Sequence, residues 1–160
     1  MSDTNVVLLG VGAIGRELLR QLATNHRTSV SSIRVCALVD RSGFVFEPAG
    51  LSWRRVMELR AHKASGKSLA TAEGGHPSSP ENAVDVITAK SGGLSRANRV
   101  LVDATAADTL PLLETALARG CDLVLANKLP LAGSQSLHDR LHDIAKLRRR
   151  RILHEATVGA

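Results

Sequence analysis

The feature that most constrains the fold is a glycine-rich turn that directly follows a short apolar run. Residues 6–9 are all aliphatic, which is typical of a strand buried on both faces. Gly10 to Gly15 follow at once in the pattern G-x-G-x-x-G, and an amphipathic helix is predicted over Ala13 to Asn25. A second apolar run, Ile33 to Val39, ends at Asp40. This order of strand, glycine turn, helix, strand and acid predicts a βαβ unit.

Strands and helices continue to alternate along the rest of the chain. Further strands are predicted over Arg99 to Ala104, Asp122 to Ala126 and Arg151 to His154. Further helices are predicted over about Leu51 to His62, from Asp108 or Thr109 to Gly120, and over about Ser134 to Leu147. In the last of these, Ser136 and Asp139 have the spacing of a capping pair, and Ser134 is the competing cap. The sequence therefore predicts an α/β fold: one Rossmann-like domain over residues 1–160, with a doubly wound, mostly parallel sheet and helices on both faces.

Three local expectations complete this prediction. Ile14, Leu18 and Leu22 are spaced to form the buried face of the first helix. The glycines and proline between residues 40 and 50 predict a loop. Residues 64–82 are rich in Gly, Ser and Pro and predict an exposed, mobile excursion.

Each glycine of the turn has a physical role in binding a dinucleotide. Gly10 permits the tight turn, Gly12 lets the backbone approach a pyrophosphate, and Gly15 lets the helix pack closely. The first residues of the helix, Ala13 and Ile14, bring backbone N–H groups and partial positive charge to the phosphates. The context of a preceding strand and a following helix makes this pattern more specific than its glycines alone.

Asp40 and Arg41 point to different forms of the cofactor. A carboxylate at the end of the second strand can accept hydrogen bonds from the adenosine ribose hydroxyls, which favours NAD. The guanidinium of Arg41 suits a 2′-phosphate, which favours NADP. Asp40 and Arg41 together therefore leave both NAD and NADP possible, with a slight preference for NAD.

Composition argues against several other classes of protein. The net charge of +6 is concentrated at Lys146 and residues 148–151, where cations complement the end of a predicted helix. With three aromatic residues in the chain, platforms for stacking bases are scarce, so we expect no nucleic-acid partner. No apolar run is long enough to cross a membrane and no signal peptide is evident, so we expect a cytoplasmic protein. Cys36 and Cys121 fall in predicted strands and are expected to be buried free thiols.

Three later segments, in order after the glycine turn, resemble the homoserine dehydrogenase family. They are Val-Asp-Ala-Thr-Ala at 102–106, Ala-Asn-Lys-Leu-Pro-Leu-Ala at 126–132, and Glu-Ala-Thr-Val-Gly-Ala at 155–160. The segments Val39 to Gly43 and Glu47 to Leu51 also look like shorter members of that family. The resemblance spans nearly the whole chain and implies an NAD- or NADP-dependent oxidoreductase that interconverts L-homoserine and L-aspartate 4-semialdehyde in threonine and methionine biosynthesis.

The resemblance also assigns roles to individual residues. Thr105, just beyond a strand end, is expected to meet the nicotinamide side of the cofactor, although a helix-capping role is the alternative. Lys128 is expected near the nicotinamide as a catalytic and cofactor-contacting residue that holds a substrate carboxylate or polarises a reacting oxygen. Asn127 is expected to fix its turn through bonds to the backbone. Glu155, Val158 and Ala160 match positions that bind a monovalent cation, usually sodium, largely through carbonyl oxygens.

The family's substrate domain would follow this segment, so the 160 residues are expected to bind the dinucleotide without turnover. The family resemblance implies a homodimer or homotetramer for the full-length protein. Another amino-acid dehydrogenase, such as an aspartate dehydrogenase, and a non-catalytic dinucleotide-binding regulatory domain remain as alternatives. His138 and His142 have a spacing that can bind zinc, but no further ligand completes a site, and we interpret them as solvated helix residues.

Overall fold

The computed structural model describes residues 3–26, 32–89 and 98–154. Its strands are β1 Thr4–Leu9, β2 Ile33–Asp40, β3 Gly43–Phe46, β4 Gly75–Pro77, β5 Arg99–Asp103, β6 Cys121–Leu125 and β7 Ile152–Leu153. Its helices are α1 Ala13–Asn25, α2 Trp53–Ala64, α3 Pro80–Thr88, α4 Leu110–Ala118 and α5 Gln135–Arg148. Two short 3-10 turns lie at Leu69–Thr71 and Leu129–Leu131.

The strands form one sheet in the order β4-β3-β2-β1-β5-β6-β7. Strands β2, β1, β5, β6 and β7 are mutually parallel, whereas β3 and β4 extend the sheet in antiparallel pairing beyond β2. The chain first builds outward from β1 through β2 and then returns to the other side of β1 to add β5. The predicted doubly wound, mostly parallel α/β sheet is therefore confirmed.

The central strand β1 separates two hydrophobic layers. Val6 and Leu8 pack on the side of α1 and α2, while Val7 and Leu9 pack on the side of α3, α4 and α5. Successive side chains of a strand point to opposite faces, so an all-aliphatic strand serves both layers at once. The helices on both faces, which the sequence predicts, are present.

The predicted loop between residues 40 and 50 is partly wrong, because Gly43–Phe46 forms β3 and pairs with β2 as an antiparallel hairpin. Residues 64–82 also differ from the expected mobile excursion. They contain a 3-10 turn whose Leu69 is fully buried, strand β4, and the start of α3. The 3-10 turn and β4 are too short to show a periodic pattern in the sequence. Strand β4 becomes ordered by pairing with β3 at the edge of the sheet.

The predicted buried face of α1 is also partly wrong. Leu18 and Leu22 are half-buried, but Ile14 is 59% exposed and Leu19, not Ile14, is completely buried. Ile14 lies on the first turn, where the helix emerges at the carboxyl end of β1 instead of lying over the sheet. Its exposure places an apolar side chain at the edge where ligands bind in α/β sheets.

Helix α3 was not predicted, whereas α4 and α5 follow the sequence more closely. The predicted buried stripe of α4, formed by residues 112, 113, 116 and 117, is confirmed, and Gly120 adopts a left-handed conformation after the helix. At α5 the N-cap is Ser134, and the Ser136–Asp139 capping pair is not formed; the Ser136 hydroxyl instead contacts the Ser134 hydroxyl.

Both cysteines are buried and free, as predicted. Burial raises the pKa of the Cys36 and Cys121 thiols to about 11, which keeps them protonated and unreactive. In the described ranges, no helix combines the length and apolar character that crossing a bilayer requires.

Candidate functional site

A crevice of about 630 Å³ opens at the carboxyl ends of β1, β2 and β5. Its walls are the glycine turn after β1, the end of β2 and the loop from β5 to α4. This position is the point at which the order of strand addition reverses, where open α/β sheets bind their ligands. Most of the surface of this crevice is apolar, with a smaller polar part that includes Asp40, Arg41 and Lys63, as in small-molecule and cofactor sites.

The glycine turn is shaped by close contacts on one side. Gly10 has a φ of +90°, and a Cβ at this position would come within 2.8 Å of Thr105 Cγ2. A Cβ on Gly15 would overlap the carbonyl oxygen of Gly10, so glycine lets α1 begin directly against the turn. Both glycines are therefore required by the fold itself, which confirms the tight turn and the close packing that the sequence predicts.

Gly12 differs from the other two glycines. It is exposed, has an ordinary φ of −77°, and, apart from Gly12 itself and its two chain neighbours, no described residue has an atom within 4 Å of where its Cβ would be. It occupies the N-cap position of α1, and no side chain caps this helix. The N–H groups of the first turn therefore lack an intrahelical partner and leave a positive helix end beside open space. That combination suits an approaching phosphate.

Asp40 is a structural centre of the crevice rim. Its Oδ1 accepts hydrogen bonds from the Ser42 N–H and hydroxyl, both at 2.9 Å, and from the Gly43 N–H at 3.0 Å. Its Oδ2 accepts from Lys63 Nζ at 2.6 Å and from the Leu69 N–H at 2.9 Å. Since a carboxylate offers about four lone-pair positions, these donors already saturate it. The side chain that the sequence assigns to the ribose hydroxyls is thus engaged within the protein.

Two cations, Lys63 and Arg41, line the crevice together with Asp40. Burial raises the pKa of Asp40, but the hydrogen bonds from Lys63 and from the Leu69 and Ser42 N–H groups outweigh it, and the pKa lies below its ordinary value. The carboxylate is therefore ionised and neutralises Lys63. Arg41 also lines the crevice and is exposed, and within the described chain its side chain has no hydrogen bond or ion pair. Its positive charge remains available to a ligand.

A second buried carboxylate, Asp103, organises the opposite wall. Its Oδ1 accepts from the Thr105 N–H at 3.0 Å and hydroxyl at 2.8 Å, and its Oδ2 accepts from the Thr109 hydroxyl at 2.5 Å. Asn127 Nδ2, after β6, donates to the same oxygen at 3.1 Å. Asp103 is completely buried. This network fixes the loops after β5 and β6 relative to one another.

The network changes the interpretation of two predicted residues. The Thr105 hydroxyl donates to Asp103 and accepts from Asn127 Nδ2 at 3.0 Å, so its proton faces the network, while the residue still lines the crevice beside Gly10. Thr105 does not cap α4, whose N-cap is Thr109. Asn127 does fix its turn as predicted, because its Oδ1 accepts from the Leu129 N–H at 3.1 Å and its Nδ2 donates to the Ala107 carbonyl at 2.7 Å.

The structure thus brings most of the predicted cofactor residues to one crevice: Gly10, Gly12, Ala13, Ile14, Asp40, Arg41 and Thr105. Gly15 lies beneath the turn instead of on its surface. Lys128 is at the same edge of the sheet, at the start of the 3-10 turn after β6, but it is not among the residues that line the crevice. It is exposed, and its ammonium has no hydrogen bond or ion pair in the described ranges.

Two other groups of candidates stand apart from the crevice. Glu155, Val158 and Ala160, the predicted cation ligands, lie outside the described residues. His138 and His142 have ring centroids 4.4 Å apart. Counting described residues only, no group of three or more His, Cys, Asp and Glu side chains is arranged to hold a metal ion.

Sequence reasoning missed the roles of Lys63 and Asp103. Nothing in the spacing of Lys63 connects it to Asp40, since the two meet only when α2 packs beside β2. Asp103 carries a local signal, because Asp-x-Thr at a strand end has the pattern of a side chain that accepts from the backbone two residues on. Asp40-x-Ser42 has the same pattern.

Comparison with known proteins identifies relatives of this arrangement. The family model described as "Homoserine dehydrogenase, NAD binding domain" matches residues 10–155. A hyperthermophilic archaeal homoserine dehydrogenase solved in complex with NADPH is 26% identical, with a TM-score of 0.79, over 98% of this chain and 45% of that one. The comparison with curated proteins finds no match.

Two more distant structures share the fold. The homoserine dehydrogenase of Thermoplasma acidophilum is 23% identical, with a TM-score of 0.73, over 97% of this chain and 44% of that one. The homoserine dehydrogenase of S. aureus is 20% identical, with a TM-score of 0.59, over 99% of this chain and 33% of that one. The chain thus spans less than half the length of these proteins. Because the family model matches most of its sequence, and the crevice of that domain is formed here, the chain belongs to the homoserine dehydrogenase NAD-binding domain family.

Proposed function

We propose that the chain holds the dinucleotide of an NAD(P)-dependent homoserine dehydrogenase, which interconverts L-homoserine and L-aspartate 4-semialdehyde. The observation that carries this proposal is Gly12, because it is the one glycine of the turn whose missing side chain leaves space open to the crevice. Gly10 and Gly15 are explained by contacts within the chain, whereas the space beside Gly12 at the uncapped end of α1 fits a pyrophosphate.

The residues around the crevice fit the remaining parts of a dinucleotide. The apolar side chain of Ile14 is available to the adenosine half beside the helix end, and the Thr105 segment lines the wall toward β5. The chemistry that the nicotinamide supplies when bound is hydride transfer. The chain's own contribution is to position the cofactor with a rigid turn and a network that holds the β5 and β6 loops together.

The rim at Asp40 favours NADP over NAD. Asp40 has no lone pair left for ribose hydroxyls, and Lys63 and Arg41 both line the crevice there. A 2′-phosphate carries two negative charges and can accept hydrogen bonds from Arg41, whose charge is not neutralised by any of the described residues, and from the N–H groups that Lys63 does not give to Asp40, whereas a ribose hydroxyl gains little from these cations. The archaeal relative at 26% identity was solved with NADPH, which agrees with this preference.

Lys128 is proposed as the residue of this chain that meets the substrate. Its ammonium has no partner in the described ranges and lies at the carboxyl edge of the sheet, one strand beyond the crevice. A free cation at that edge can hold a substrate carboxylate or stabilise charge on the reacting oxygen. This role requires a substrate domain that brings the substrate to Lys128, since the crevice walls do not include it.

Further properties of the whole protein are proposed from the family alone. They are a sodium site with Glu155, Val158 and Ala160, a substrate domain beyond this segment, assembly as a homodimer or homotetramer, and a cytoplasmic role in threonine and methionine biosynthesis. A protein that includes the substrate domain tests the reaction directly: oxidation of L-homoserine with NADP supports the proposal, and oxidation of L-aspartate instead contradicts it.

Gly12→Asp tests dinucleotide binding itself. Asp is a favoured N-cap and fits the φ of −77°, so the melting temperature of the free chain is expected to change little. The added carboxylate faces the pyrophosphate position, and affinity for both NADH and NADPH in calorimetric titration should fall about a hundredfold. Ser134→Asp is the matched control, because it adds the same charge at the N-cap of α5. Equal affinity in Gly12→Asp and wild type would contradict the proposed site.

Arg41→Ala tests the preference for the 2′-phosphate. Affinity for NADPH should fall about tenfold while affinity for NADH stays unchanged, because the lost hydrogen bonds are made to the phosphate alone. Arg54→Ala is the control, since Arg54 is an exposed arginine of α2 outside the crevice. Tighter binding of NADH than of NADPH by the unmodified chain would overturn the preference without touching dinucleotide binding.

A further inference from the structure

A second cavity, of about 720 Å³, lies at the opposite end of the sheet from the dinucleotide crevice. Its walls are the end of α3, the turn at Gly120 between α4 and β6, and the end of α5 with the residues that lead into β7. Strands β6 and β7 begin here, whereas the dinucleotide crevice lies where the strands end. The two cavities are therefore separated by the length of the strands, and neither can serve the ligand of the other.

Arginine side chains dominate the walls of this cavity. Arg119, Arg148 and Arg150 line it, against the single acidic residue Asp85. Arg119 is held in place by Asp85: its Nη2 lies 2.8 Å from Asp85 Oδ1, and its Nη1 donates to the Asp85 carbonyl at 2.7 Å. The same Nη1 donates to the Thr88 hydroxyl at 3.3 Å. Asp85 neutralises one arginine, and two positive charges remain.

Among the residues that the structure describes, Arg148 and Arg150 have no partner for those charges. In the described parts of the chain, neither guanidinium has a hydrogen bond or ion pair, and Arg150 Nε is buried without an acceptor. Arg149 between them adopts a left-handed conformation with a φ of 53°, which is unfavourable for a residue with a Cβ. The turn at Arg149 ends α5 and brings both Arg148 and Arg150 to the same cavity. Arg151, which follows Arg150, instead pairs with Asp122.

Helix ends account for only part of this positive charge. Helices α3, α4 and α5 all end at the cavity, and their carbonyl ends favour cations. Two arginines do serve that purpose: Arg99 Nη1 donates to the Thr88 carbonyl at 3.3 Å, and Arg119 donates to the Asp85 carbonyl. Within the described ranges the guanidinium groups of Arg148 and Arg150 make no such bonds, which leaves the buried Nε of Arg150 able to donate to a bound ligand.

From this geometry we infer that the cavity binds a compact oxyanion with at least two negative charges, of the phosphate or dicarboxylate class. Guanidinium groups match such oxyanions because they donate two parallel hydrogen bonds. The cavity has the volume of a small-molecule site, and its arginines converge on one concave space, as a compact ligand requires. The site is independent of the dinucleotide crevice and of the proposed reaction.

Inorganic pyrophosphate is a suitable probe. Its binding can be followed by the NMR chemical shifts of the backbone amides, because the amides that shift show where the ligand binds. We expect saturable shifts at Thr88, Gly120 and Arg150, separate from any shifts at Gly10 to Gly15 that report the dinucleotide crevice. Succinate provides the dicarboxylate arm of the same experiment. Shifts confined to the glycine turn, with none around Gly120, would overturn the inference while leaving the proposed function intact.

Arg150→Ala and Lys146→Ala separate a specific cavity from diffuse positive charge. Arg150→Ala should weaken pyrophosphate binding at this cavity about tenfold, whereas Lys146→Ala should leave it unchanged. Lys146 lies exposed on the same last turn of α5 but does not line the cavity. An equal loss in both variants, or binding of duplex DNA that both weaken equally, would show a diffuse polyanion surface instead of a built site.

Discussion

Two aspartates at the ends of the strands that flank β1 share one local motif and differ in every tertiary contact. Asp40 ends β2 and Asp103 ends β5, and each accepts hydrogen bonds from the N–H and hydroxyl of the residue two positions on. Asp40 then binds the ammonium of Lys63 at the crevice rim, whereas Asp103 binds the Thr109 hydroxyl and the Asn127 amide in the interior. The shared motif fixes the conformation of each turn. The tertiary partners of each aspartate then decide whether the turn presents a charge at the crevice or joins two loops in the interior.

The difference teaches how one crevice combines rigidity with charge. Among the described residues, no cation contacts Asp103, and its charge is stabilised by neutral donors that also join the loops after β5 and β6. Asp40 fixes the β2–β3 turn and at the same time holds Lys63 at the wall of the crevice. The wall at Asp103 is therefore a fixed scaffold, and the rim at Asp40 is the charged end, where we propose that NADP and NAD are distinguished.

Asp103→Ala should have the largest effect on the fold. It leaves the Thr105 and Thr109 hydroxyls and the Asn127 amide buried without their common acceptor, and we expect a loss of about 3 kcal/mol in the free energy of unfolding. Urea denaturation measures this loss. Asp108→Ala in the same loop is the control, since Asp108 is exposed and accepts from the Leu110 N–H alone, and it should cost less than about 1 kcal/mol.

A similar small loss in both variants would show that the network around Asp103 does not support the wall. In that case Asn127 alone, through its bonds to the Ala107 carbonyl and the Leu129 N–H, would carry the contact between the two loops.

Lys63→Met should have an intermediate effect that depends on pH. The pKa of Asp40 is lower in the folded chain than the ordinary carboxyl value of about 3.9. The stabilisation from its contact with Lys63 is therefore present above that value and is lost as the pH falls through the lower folded pKa. At pH 7 we expect the free energy of unfolding of Lys63→Met to be about 2 kcal/mol lower than that of wild type. This difference should shrink progressively below about pH 4.

Lys67→Met, an exposed lysine just beyond the same helix, should change little at either pH. A difference between Lys63→Met and wild type that is the same at pH 7 and at pH 3 would mean that lost packing, and not the ion pair, explains the effect.

The smallest effect should come from the two hydroxyls that complete the shared motif. Thr105→Val removes a hydroxyl that joins Asp103 to Asn127 while keeping the shape of the side chain, and we expect a loss of about 1 kcal/mol. Ser42→Ala removes the matching hydroxyl beside Asp40, where the Gly43 N–H, the Lys63 ammonium and the Leu69 N–H still donate to the carboxylate. We therefore expect it to lower the free energy of unfolding by about half as much as Thr105→Val does. A larger cost at Ser42 would reverse the comparison between the interior wall and the rim.

Local patterns predicted much of this molecule correctly. Helix α1, strands β1 and β2, the stripe of α4 and the roles of Gly10 and Gly15 in the turn depend on backbone geometry and short-range periodicity, which a sequence carries within a few residues. Strands β3 and β4 were not predicted, because strands of three or four residues carry too little periodicity and become ordered by pairing with a neighbour.

The sequence by itself determined the doubly wound fold, the glycine turn and the family to which the chain belongs. Only the tertiary structure decided that Lys63 and Leu69 complete the saturation of Asp40, that Lys128 lies outside the crevice walls, and that Arg148 and Arg150 share a second cavity. The physical reason is the range of the interactions. Turns and periodic faces arise between residues close in the chain, whereas the occupation of a lone pair or the balance of a charge depends on residues that only the packing of helices against the sheet brings together.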